Sequence, residues 1–135
     1  MAGIMKVTLA TEKNGSDSLR INKSDRNIKA HVSLLNFRDK ETRQYIQLCD
    51  SLDITGYGET PEKAREMVLF SISNYFDYLI DLPAKQIEVE LRNLGWKHSL
   101  LHTKQYSKVF VDISGELQNF NAVDDKVERE ILETA

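Results

Sequence analysis

An apolar stripe that opens on a threonine–proline corner limits the folds open to this chain. Ala64, Met67, Val68, Ser71, Ile72, Tyr75, Phe76 and Leu79 recur at three- and four-residue steps over about five turns, the spacing of a helix with one buried face. Just ahead of it, Gly58 permits backbone angles that other residues resist, and Thr60 can cap the first turn. Pro61 suits the first helical position, where an N–H would be unpaired anyway, and Ala64 follows as the first buried side chain. Glu59 and Glu62 sit where a helix dipole favours negative charge. Asp81-Leu-Pro83 then breaks the stripe, so this helix needs a sheet or a second helix to cover.

The residues on its N-terminal side supply that sheet. Ile28, Ala30, Val32 and Leu34 alternate with Lys29, His31 and Ser33, and Ile46 and Leu48 resume the alternation after the polar turn Arg38-Asp-Lys-Glu-Thr42. Leu52 and Ile54 alternate with Asp53, Thr55 and Tyr57, which predicts a third antiparallel strand after a turn at Asp50-Ser51. Downstream, Ile87, Leu91 and Leu94 mark a shorter helix ending at Gly95, with Trp96 folding back on it. Val109, Val111 and Ile113 read as a fourth strand. The expected fold is therefore α+β: a small antiparallel sheet of about three to four strands packed by one long helix. Residues 1–27, polar apart from Ile4–Ala10, Leu19 and Ile21, are expected as a flexible arm or a short strand plus loop. The domain proper runs over 28–118, and 119–135 is an acidic tail, a marginal helix at best on the spacing of Val123, Val127 and Ile131.

Charge divides the chain unevenly. Through Leu48 nine Lys/Arg face five Asp/Glu, whereas from Cys49 onward nine face sixteen, so a net −3 hides a basic first third and an acidic remainder. That balance argues against a generally basic nucleic-acid binder. A single cysteine, Cys49, cannot bridge within the chain, and the first residues lack the apolar core of a signal peptide; both point to a reducing, cytoplasmic setting.

The segment from Tyr45 to Ala64 (YIQLCDSLDITGYGETPEKA), followed by the long helix, resembles the conserved segment of HicB-like antitoxins: strand, short turn, strand, then Gly-x-Thr-x-x-x-Ala opening a helix. Cys49 stands where that pattern usually has proline, and the resemblance covers residues 28–79. It implies a partial ribonuclease-H-like arrangement without catalysis, used to bind and silence a small HicA-like toxin. Many members add a C-terminal DNA-binding segment, for which the residues after Ile113 are too few and too acidic, so DNA binding is not expected.

Candidate chemistry is sparse. Asp50, Asp53 and Glu59 are the carboxylates that could stand in for the acidic cluster of a two-metal nuclease on that scaffold, and the expected register turns Asp53 away from the core. His98 and His102 are four apart, which on a helix would offer two imidazoles to one metal, but no third ligand is near in sequence and they read as surface histidines. Cys49 has only His31 as a conceivable base. Arg38, Lys40 and Arg43 read as a solvated turn. No catalytic, cofactor or metal residue is assigned. Phe37, Tyr45 and Tyr57 are the expected partner interface, as aromatics on the sheet. The function expected is thus a non-enzymatic protein-binding module, a HicB-like antitoxin or an orphan relative, itself a homodimer formed through a sheet edge or face, since Val109 to Ile113 carries only Asp112 as a guard. The alternatives are a small metal-dependent nuclease and a nucleic-acid-binding regulator.

Overall fold

The alternation that begins at Ile28 continues into a strand of twelve residues, and the rest of the molecule is arranged around it. The computed structural model describes residues 5–9, 17–98, 101–111, 117–118 and 127–134. In chain order these form β1 (Met5–Leu9), β2 (Ser18–Asn22), β3 (Asn27–Arg38), β4 (Tyr45–Cys49), β5 (Ile54–Gly58), α1 (Pro61–Ile80), α2 (Ala84–Asn93), β6 (Trp96–His98), β7 (His102–Lys104), β8 (Phe110–Val111), β9 (Leu117–Gln118) and β10 (Glu128–Thr134). β3 is long enough to carry two neighbours on one edge: β2 pairs with its first half, Ser18 opposite His31, and β4 with its second, Leu35 opposite Leu48. β10 pairs along the other edge and is itself flanked by β1. β5 extends from β4, and the hairpin of β6 and β7 joins through β2.

The result is α+β, but it corrects the small sheet expected from the sequence. Among the described residues the main sheet has eight strands, all antiparallel. The additional strands come from the segments read as arm and tail. β1 and β2 lie within 1–27, and β10 stands where a helix or a loose end was expected. The fourth strand expected at Val109–Ile113 is not an edge of the main sheet. Its described part, β8, pairs only with β9 in a separate two-stranded ribbon, while Ile113 lies outside the described residues.

Both helices cover one face of the sheet. Ile28, Ala30, Val32 and Leu34 of β3 meet Val68, Ile72, Phe76 and Leu79 of α1 and Ile87 and Leu91 of α2 in one core, which Leu132 of β10 and Trp96 also enter. On the reverse face Leu35 and Phe37 pack with Ile46, Leu48 and Val109 in a smaller cluster. Each fully buried Leu, Ile, Val or Phe contributes about 1.5–3 kcal/mol, so α1 is held by packing more than by helical propensity.

The corner into α1 forms as expected, for a partly different reason. Thr60 is extended (φ −131°) and its hydroxyl accepts from the Lys63 amide at 3.2 Å, with Pro61 beginning the helix and Ala64 buried. Gly58 is not in the left-handed region. Glycine is needed in β5 because α1 lies almost on its backbone. A Cβ at Gly56 would stand 2.4 Å from the Ala64 carbonyl oxygen, and one at Gly58 2.6 Å from Lys63 Cβ. Left-handed residues sit at turns instead: Arg26 (φ 50°) and Arg43 (φ 65°) beside β3 and β4, Asp53 (φ 56°), which turns the chain into β5, and Gly95 (φ 98°), which follows α2. We expect Gly56→Ala to lower stability by more than about 2 kcal/mol because helix and strand must separate. Thr60→Ala should cost about 1 kcal/mol. Urea midpoints of the two variants against wild type measure both.

Candidate functional site

Where β3, β4 and β10 run side by side beneath the first turns of α1, the helix-facing surface changes from apolar to polar. Asn36, Gln47 and Glu130 project there from the three strands, and Arg65 reaches down from α1. Gln47 Nε2 donates to Asn36 Oδ1 at 2.7 Å and to Glu130 Oε1 at 2.9 Å, and Asn36 Nδ2 donates to the same carboxylate oxygen at 2.6 Å. The other oxygen of Glu130 pairs with Arg65 Nη2. Gln47 and Glu130 are buried, so each charge and amide needs these partners to remain there.

Two polar atoms of the network are left over. Gln47 Oε1 and Arg65 Nε are buried and have no hydrogen-bond partner among the described residues. Since Glu130 fixes which end of the Gln47 amide must donate, the free end is an acceptor, and the free guanidinium nitrogen is a donor. Both residues line an open cleft of about 360 Å³, bounded by Arg38 and Tyr45 on one side and Pro61 on the other. Pro61 and Arg65 also line a second groove of about 350 Å³ that continues past Glu62, Glu66 and Leu69 along α1.

The expected interface residues separate. Tyr45 forms part of the cleft wall, half-buried, with the Arg38 guanidinium 4.9 Å from its ring centre. Phe37 also borders the cleft, but it is only 6% exposed because its side chain fills the reverse-face core. Tyr57 is exposed on β5, which among the described residues pairs only with β4. Its amide donates to Met67 Sδ, and exposed Phe70 and Tyr78 lie further along α1.

The carboxylates weighed for a nuclease do not converge. Asp53 precedes β5 and Glu59 follows it, which puts an extended strand of about 20 Å between them. Asp50 instead lies with Asp17 and Lys104 near the turn into β5. Its Oδ1 is buried without a partner, and burial, followed by the nearby charge of Asp17, pushes its carboxyl up to about 6. Asp17 accepts from the amide and hydroxyl of Ser33 at 3.0 and 2.9 Å. Cys49 and His31 are not a pair. The thiol is fully buried beside Ser51 and burial pushes it up to about 12, while His31 faces Glu133.

His98 and His102 do come together, and on a hairpin. They are directly opposed residues of β6 and β7, their rings stacked 4.1 Å apart and 7° from parallel, with Glu88 of α2 beside both. Spacing along the sequence could show neither this pairing nor the polar network of β3, β4 and β10, because both depend on strand register.

Compared with family models, with curated proteins and with solved structures, the chain matches none. Among the described residues no helix is long and apolar enough to cross a membrane.

Asp50 carries a pH dependence. Its folded pKa of about 6 lies above the ordinary value of 3.8, so the fold binds the proton more tightly than the unfolded chain does. The associated stability is fully present below about pH 4 and is lost as pH rises through about 6. Asp50→Asn should therefore be more stable than wild type at pH 7.5 by on the order of 2 kcal/mol and no more stable at pH 4, measured by denaturant unfolding at both pH values.

Proposed function

We propose that this chain is a non-catalytic protein-binding module, of the antitoxin kind that its HicB-like segment implies or an orphan relative of that kind, and that a segment of a partner protein lies in the groove beside α1. The observation that carries the reading is a cleft lined by Gln47 and Arg65, each of which keeps a buried atom, Oε1 and Nε, without a hydrogen-bond partner among the described residues. One accepts and one donates, and a peptide group offers the complementary donor and acceptor. Tyr45, with Arg38 over its ring, adds an amphipathic wall of the type enriched at interfaces. The acidic balance of the chain after Leu48 suits a basic partner, as a small HicA-like toxin would be.

A second copy of the chain has a different place. The outer edge of β5, with Tyr57, Met67 and Phe70 beside it, is the homodimer face, and Phe70 at 69% exposed is its most prominent apolar group.

Co-expression with the product of the neighbouring reading frame, followed by purification and light scattering, tests the reading. Wild type should hold that product, whereas the double variant Arg38→Ala, Tyr45→Ala should lose it at an unchanged melting temperature. Retention by the double variant would remove the groove from the proposal. Labelled RNA or DNA incubated with the chain in Mg²⁺ and then Mn²⁺ should remain intact. Cleavage lost in Asp53→Ala at an unchanged melting temperature would replace the binding module by a nuclease.

A further inference from the structure

We infer that Glu88, His98 and His102 form a site for one divalent transition-metal ion of the Zn²⁺ class, fastening the β6–β7 hairpin to α2. The ligand atoms of the three side chains lie within 4.8 Å of one another. Tetrahedral zinc, bound at about 2.0–2.1 Å, spaces its ligands roughly 3.3 Å apart, so the set closes by at most about 1.5 Å per pair. Part of that closure is already present: His98 Nδ1 touches Glu88 Oε1, and His102 Nε2 is 3.6 Å from the same oxygen.

Each residue is brought in by a different constraint. Register fixes the histidines, since directly opposed residues of an antiparallel pair send their side chains to the same face about 5 Å apart. β7 is anchored to the main sheet by the pairing of His102 with Leu19. Glu88 comes from the helix that ends at Gly95, one residue before β6 begins.

A second, independent observation points to a ligand. His102 is only 5% exposed, yet its buried Nε2 has no hydrogen-bond partner among the described residues. That nitrogen faces Glu88 Oε1 at 3.6 Å, with the His98 ring stacked beside it. The ammonium of Lys23, which borders the same pocket, is engaged by the carbonyl oxygens of Ile80 and Leu82.

Two imidazoles and one carboxylate select a borderline metal over Mg²⁺ or Ca²⁺, which prefer oxygen ligands alone. Three protein ligands leave a fourth position, and it opens on a pocket of about 160 Å³ between Ile21, Ile87 and Leu101, large enough for a water or a small anion. The metal would thus be a clamp with one exchangeable position.

Calorimetric titration of the full, untagged chain with Zn²⁺, with Co²⁺ absorption as a second readout, is the test. Wild type should bind one equivalent, and Glu88→Gln and His98→Asn should each weaken binding at least about tenfold while the metal-free circular dichroism and melting temperature stay as in wild type. These two positions are partly exposed, so neither change should unfold the chain. Zn²⁺ should also raise the melting temperature of wild type and leave that of the double variant Glu88→Gln, His98→Asn unmoved. Absence of saturable binding at one equivalent, equal affinity in the double variant, or equal competition by Mg²⁺ or Ca²⁺ would overturn the site.

Discussion

Everything in this molecule depends on β3 having partners along both of its edges. A strand of twelve residues can hold two shorter strands end to end on one side, and β2 and β4 do so because each is tied to β3 by a tight turn. The opposite edge would be left as a row of unpaired amides and carbonyls if β10 did not fill it. Beyond the ladder the Thr134 side chain takes over: its hydroxyl donates to the Ile28 carbonyl at 2.7 Å and accepts from the Ala30 amide at 2.8 Å. A side chain thus completes what the backbone of β10 begins.

That arrangement explains why a buried polar network is tolerated at the sheet centre. β10 brings Leu132 to the helix-facing core, and two residues before it the same face carries Glu130. A buried carboxylate with no partner would cost several kcal/mol, and Asn36, Gln47 and Arg65 offset that cost with charge-assisted hydrogen bonds. The four side chains come from three strands and a helix, so their geometry holds only while the sheet and α1 are both in place. The side chains of Gln47 and Arg65 that line the cleft are preorganised by the same network, which lowers the ordering cost of whatever binds there.

The parts of the fold governed by local pattern were legible in the sequence. Alternation located β3 and β4, and β5 in its later part, because Leu52 and the left-handed Asp53 belong to the turn and the strand begins at Ile54; the three- and four-residue stripe with Thr60 and Pro61 located α1 almost to the residue. What escaped was set by distant partners. β10 hides because two of the three residues on its inward face, Glu130 and Thr134 on either side of Leu132, are polar, and polar residues read as surface until Arg65 and the β3 backbone are known to meet them. Gly56 reads as a weak point in a strand until α1 is seen to lie against it. His98 and His102 suggest a helical pair by spacing alone, yet β-hairpin register gives the same proximity, and Glu88 joins them only because Gly95 reverses the chain after α2.

The position of β10 also governs how the fold is reached. Among the described residues β1 pairs only with β10, so this strand acquires that neighbour when residues 128–134 arrive. The local unit of β3, β4, β5 and α1 can assemble from neighbours in sequence, whereas closing β10 against β3 spans about a hundred residues, as the Thr134 bonds to Ile28 and Ala30 do. Loop-closure entropy rises slowly with length, so this closure burdens the rate of folding more than the final stability. Glu130 arrives with β10, and the salt bridge to Arg65 forms at that step. The cleft is therefore assembled by the same event that closes the sheet, and a chain whose β10 is unpaired has neither the network nor the face proposed to bind.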